Sequence, residues 1–102
     1  MDKWIIDEAS KTEVYDTIKD DSILVKKWTS FEKDVTDNPY FHPKPKRIEK
    51  LKGVTSFPRG SYRYKREPLR VVYIPEGSTK VIYPLGAGTA TSISYKKRTK
   101  GK

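Results

Sequence analysis

The chain contains no cysteine, so it has no disulfide framework, thiolate nucleophile or thiolate ligand for a metal, and this usage fits a reducing compartment. It has a single histidine, His42, in a proline-rich stretch with no second histidine nearby, which does not make a metal site. No apolar run approaches the ~18 residues that a membrane helix needs. Met1-Asp2-Lys3 leads straight into a strand-like segment, so neither a membrane partner nor a signal peptide is expected, and the cytoplasm is the expected compartment. Acidic residues are scarce where basic ones collect. Residues 1–43 carry six Lys+Arg against ten Asp+Glu, whereas residues 44–102 carry sixteen against three, so the net charge of +9 belongs to the second half. Such a field gathers polyanions, of which nucleic acid is the commonest for a small domain; an acidic protein partner fits the same field.

What is present suits one small domain. A chain of 102 residues, 34% hydrophobic and with twelve aromatics, can bury one modest core. The apolar run at Trp4-Ile5-Ile6 reads as a first strand. Ser10 and Glu13 have capping-box spacing and Val14 with Ile18 forms an apolar i, i+4 pair, predicting a short helix over about residues 11–19. Asp21 or Ser22 then caps a second helix whose apolar positions, Leu24, Trp28, Phe31 and Val35, fall on one stripe and predict burial against a sheet. Pro39, Pro43 and Pro45 make an extended connector, and residues 44–52 read as a short strand or a single helical turn at the edge of that sheet.

Residues 62–66 and 69–74 are rich in aromatic and β-branched residues and are broken by Glu67-Pro68, which predicts a β-hairpin. With a two-residue loop, Arg66 faces Leu69, Lys65 faces Arg70 and Arg63 faces Val72, so Arg63, Lys65 and Arg70 share one face. Like charges placed directly opposite each other cost stability. Their presence suggests an anionic ligand, phosphate first, because Arg and Lys donors match it; the pattern also fits a solvated face of snorkelling side chains. A turn at residues 75–78 leads to a strand over 79–85 that completes a meander. Gly86-Ala87-Gly88 reads as a flexible turn, because no Lys-Ser/Thr follows it to make a phosphate loop, and residues 89–95 read as a last short strand. The whole is α+β: two N-terminal helices packed on one face of a small, mainly antiparallel sheet, with the other face open. Residues 1–95 form the domain and 96–102 a basic tail. Lys44, Lys46, Arg47, Lys50, Lys52, Arg59, Arg66, Lys96, Lys97 and Arg98 are candidate RNA contacts.

Lys50-Leu51-Lys52-Gly53, Tyr62-Arg63-Tyr64-Lys65, Leu69-Arg70-Val71-Val72-Tyr73, Lys80-Val81-Ile82 and Tyr95 follow one another in an order and spacing that resembles the RelE family of toxins, the messenger-RNA-cleaving halves of toxin–antitoxin pairs. The resemblance covers the second half; the first strand and helix pair fit the family's architecture without a motif. It implies a ribosome-dependent, metal-independent endoribonuclease with no cofactor, neutralised by a cognate antitoxin. The reaction it implies is attack of an RNA 2′-hydroxyl on the adjacent phosphate. Arg63, Lys65, Arg70 and Tyr95 stand at the catalytic positions: Arg63 and Arg70 would hold phosphate oxygens, Lys65 would accept the proton if those two cations depress its pKa, and Tyr95 would stack on a base or donate a proton. The chain departs from the family after its last long strand. Where an Arg or His is usual, it has Gly86-Ala87-Gly88-Thr89-Ala90-Thr91, and loss of one oriented donor typically costs ~10²–10³ in rate. The expectation is therefore either compensation by Arg98, Lys96 or His42, or a weak nuclease, the alternative being a non-catalytic or ParE-like toxin or binding module of the same fold acting on gyrase or RNA. An unrelated small RNA-binding protein with a basic sheet shares the charge asymmetry.

Overall fold

The computed structural model describes residues 3–52 and 56–93. Strand β1 (Ile5–Ile6) runs directly into helix α1 (Glu8–Tyr15), because Asp7, between them, caps the helix by accepting the Ser10 N–H at 3.0 Å. The cap lies three residues before the expected one at Ser10. Asp7 is the better cap, since its carboxylate both satisfies an orphan donor and, with Glu8, opposes the positive end of the helix dipole. Helix α2 (Ser22–Asp37) is capped by Asp21, whose Oδ1 accepts from the N–H groups of Ile23 and Leu24 at 3.1 and 3.2 Å. Its expected stripe is buried: Leu24, Trp28, Phe31 and Val35 all face the sheet, the last two with no exposure. Each such burial contributes roughly 1.5–3 kcal/mol.

Four further strands follow, β2 (Ile48–Lys50), β3 (Tyr62–Arg66), β4 (Leu69–Glu76) and β5 (Val81–Gly88). The sheet order is β1-β5-β4-β3-β2, with only the β1–β5 pair parallel, so the segment between β1 and β2, which holds both helices, lies over the sheet as a crossover. Residues 48–50 are thus an edge strand and not a helical turn. The hairpin register is as read from the alternation: Arg66 faces Leu69, Lys65 faces Arg70 and Arg63 faces Val72, across a cis Glu67–Pro68 bond. The core lies between α2 and the face carrying Tyr64, Leu69, Val71, Tyr73 and Ile82. Phe31 is its centre, with ring centroids 4.8 Å from Trp28, 5.4 Å from Tyr64 and 5.7 Å from Tyr73.

The end of β5 differs from expectation. Gly86-Ala87-Gly88 is strand, not turn: Gly88 pairs with Arg70, Ala87 with Val71 and Gly86 with Val72. Tyr73 then pairs with Pro84, which leaves Leu85 as the extra residue of a bulge. Ladder bonds are made by backbone, so glycines can hold strand geometry when something else needs the space above them. That something is the following turn, which replaces the expected last strand as far as residue 93: Ser92 and Ile93 donate their N–H groups to the Thr89 carbonyl at 3.2 and 3.0 Å. The second face of the sheet is accordingly not open throughout. Val72 is wholly buried on it, and Phe57 and Ile93 stand over Gly86, its cross-strand neighbour. No helix among the described residues is long and apolar enough to cross a membrane.

Candidate nucleic-acid interface

Leu69 and Val71 are buried on the helix side, so Arg70 between them points to the second face, and its partner Lys65 and next neighbour Arg63 point there too. The hairpin therefore brings together three of the four predicted catalytic residues. The fourth, Tyr95, lies outside the described residues, as do Lys96, Lys97 and Arg98.

The two arginines are held and the lysine is not. Arg63 Nη2 donates to Glu49 Oε1 at 2.7 Å and to the Lys46 carbonyl at 3.3 Å, and Arg70 Nη2 donates to Glu67 Oε2 at 3.0 Å. Both guanidinium side chains are mostly covered, 16% and 17% exposed, while their carboxylate partners are open to solvent. The Nε atoms of Arg63 and Arg70 are buried and make no hydrogen bond. Lys65, between the two pairs, has no ion-pair partner among the described residues. Glu49 and Glu67 offset two of the three positive charges, which explains how Lys65 and Arg70 tolerate direct opposition. Ion pairs whose carboxylate is open to solvent in this way are weak, on the order of 1 kcal/mol, so neither glutamate is firmly held. Sequence reading missed both glutamates. Glu67 was detectable, three residues before Arg70 in the turn; Glu49 was not, because its role depends on the β2–β3 register.

No protein-family profile, curated protein or solved structure matches this chain.

The remaining predicted cations do not form one surface with the hairpin trio. Arg66 and Lys50 alternate onto the helix side of the sheet, in register with Leu69 and Tyr62. Arg47 turns inward: its side chain is 11% exposed, Nη1 lies 3.8 Å from Asp34 Oδ2, and its guanidinium sits 6.0 Å from the Tyr64 ring centroid. Lys44, Lys46, Lys52 and Arg59 are exposed on loops. His42 is also on the helix side, with Nε2 3.6 Å from Asp34 Oδ2 and Nδ1 accepting the Lys44 N–H at 3.0 Å, so it does not replace the cation missing after β5. Asp34 further accepts the Tyr64 hydroxyl at 2.8 Å. Burial first, and then that carboxylate, push the Tyr64 phenol well above its ordinary pKa. This cluster fastens the connector and the start of β2 to α2. From there the Arg47 carbonyl takes the Lys65 N–H at 2.8 Å, which sets the backbone beneath the basic trio.

Proposed function

We propose that the second face of the β3–β4 hairpin binds RNA phosphate, and that the chain acts as a RelE-like endoribonuclease toxin. The observation that carries this reading is the direct opposition of Lys65 and Arg70, with Arg63 on the same face. The order of two helices followed by an antiparallel meander, with β1 parallel to the last strand, supports it as an architecture that leaves the hairpin's second face away from the helices. In this reading the 2′-oxygen bonds to phosphorus as the phosphorus–O5′ bond breaks, the 2′-hydroxyl proton passing to water and O5′ taking one from water, which gives a cyclic phosphate and a 5′-hydroxyl. Lys65, Arg63 and Arg70 stabilise the negative charge that gathers on the phosphate oxygens. The partners are ribosome-bound message and a cognate antitoxin, in the cytoplasm.

The test is growth arrest on induction, with primer extension on ribosome-bound message and thermal melts of each variant. Lys65→Ala and Arg70→Met are expected to lower cleavage by about 10²–10³. Methionine is preferred at position 70 because the arginine stem is mostly covered, so truncation to alanine would remove packing as well as charge. Growth arrest without cleavage of message would replace the nuclease reading with a non-catalytic toxin that acts on RNA or gyrase by occlusion. The absence of a cation from Gly86-Ala87-Gly88 is the feature that favours that second reading.

A further inference from the structure

Gly88 stands directly across the sheet from Arg70, and opposed residues of an antiparallel pair project to the same face. Gly88 has no side chain to place there, and the space is taken by Ser92, whose Oγ a Cβ on Gly88 would strike. The Thr89 N–H donates to Ser92 Oγ at 2.7 Å, and the Thr89 hydroxyl donates to the same atom at 3.2 Å. The Ser92 N–H returns a bond to Thr89 Oγ1 at 3.3 Å. A hydroxyl has two acceptor lone pairs and one proton. Ser92 spends both lone pairs on Thr89, so its proton is the group's only remaining bonding capacity, and that proton has no acceptor among the described residues. The side chain is exposed. Such a hydroxyl is a donor only, polarised by the two bonds it accepts, and the ligand that suits it is one rich in acceptors.

We propose that Ser92 is a phosphate-binding residue of this face, donating its hydroxyl to a non-bridging oxygen of the RNA phosphate that Lys65 and Arg70 hold. The inference rests on the RNA-binding reading above and adds the neutral donor that stands where the sheet supplies no cation. Glycine at position 88 is then required by close approach: a Cβ there would displace the hydroxyl from its place over the strand.

A mixed-sequence RNA oligonucleotide, fully 2′-O-methylated so that its 2′-oxygens cannot attack, serves as the probe, with binding followed by fluorescence anisotropy. Ser92→Ala is expected to weaken binding about tenfold, the loss of one hydrogen bond to a charged group. Gly88→Ala should weaken it as well, whereas Ser92→Thr, which keeps the hydroxyl, should bind as the unaltered chain does. Melts of all three show whether the turn is retained. If Lys65→Ala and Arg70→Met weaken binding but Ser92→Ala does not, the proposal falls and the basic face stands. Equal weakening by Ser92→Ala and Ser92→Thr would trace the effect to the shape of the turn and overturn the hydroxyl's role. If none of these variants changes binding, the RNA-binding reading fails and this inference goes with it.

Discussion

The phenol of Tyr73, wholly buried in the core, donates to the carbonyl of Pro39, itself among the most buried residues of the chain. One hydroxyl thereby anchors the connector after α2 to the central strand of the sheet. Tyr73→Phe would leave that carbonyl without its donor, a loss of about 1–3 kcal/mol readable by urea unfolding. The same residue gives a pH signature. Burial, and then the neighbouring Tyr62 and Tyr64, raise its pKa far above the ordinary value of 10.0, and Tyr64 shifts in the same direction. A raised folded-state pKa contributes stability that is complete below pH 10, where folded and unfolded phenols are both protonated. That stability is lost as pH rises toward the folded-state value, since only the unfolded chain then releases protons. The unfolding midpoint should therefore hold level up to about pH 10 and fall above it. The Tyr73→Phe variant should show a shallower alkaline fall. Equal slopes in the two proteins would mean that Tyr73 is not the residue responsible.

At the scale of elements, what could be read from sequence was whatever repeats locally. The stripe of α2 and the register of the β3–β4 hairpin both follow from spacing alone, because a helix face and a two-residue loop leave few alternatives. The hairpin half of the candidate site was legible for the same reason. The end of β5 was not. Gly86 and Gly88 carry turn chemistry in isolation, and only the fold-back of residues 89–93 onto them gives glycine a reason to sit in a strand. Glu49 and Ser92 escaped detection likewise, since each acts across a register that local sequence does not encode. The cap of α1 was misplaced because two capping signals overlap, one at Asp7 and one at Ser10, and their competition is testable. The Ser10 amide and hydroxyl hold the Asp7 carboxyl below its ordinary value of 3.8. Asp7→Ala should lower the melting temperature by a few degrees, whereas Ser10→Ala keeps the backbone donor and should lower it less. A depressed folded-state pKa contributes above the ordinary carboxylate range and is lost as pH falls through the depressed value. The gap between Asp7→Ala and the unaltered chain should accordingly be full at neutral pH and close below about pH 4. A gap that persists there would assign the effect to something other than the charged cap.

The molecule as a whole is electrically polar. Residues 1–43, which include β1 and both helices, hold the excess of acid, and residues 44–102, which include the hairpin, hold the excess of base. The helices cover one face of the sheet and Lys65 stands on the other, so this cation, unpaired among the described residues, is set apart from the acidic excess of the first half. Binding carried by phosphate contacts releases counterions, and for single-stranded RNA the logarithm of the binding constant falls by about 0.7 per contacted phosphate for each tenfold rise in salt. If the hairpin trio engages two or three phosphates, the slope expected for RNA binding is roughly −1.5 to −2, and a steeper one would mean that further cations take part. Lys96, Lys97 and Arg98 are the group to examine, because they continue the basic half beyond the described residues. Reversing their charge together should weaken binding and flatten the salt slope while leaving the melting temperature unchanged. Binding that does not respond to salt would show that the charge asymmetry serves something other than a nucleic-acid backbone. A flattened slope after reversal, with Lys65→Ala lowering it further, would place both regions on one strand of RNA.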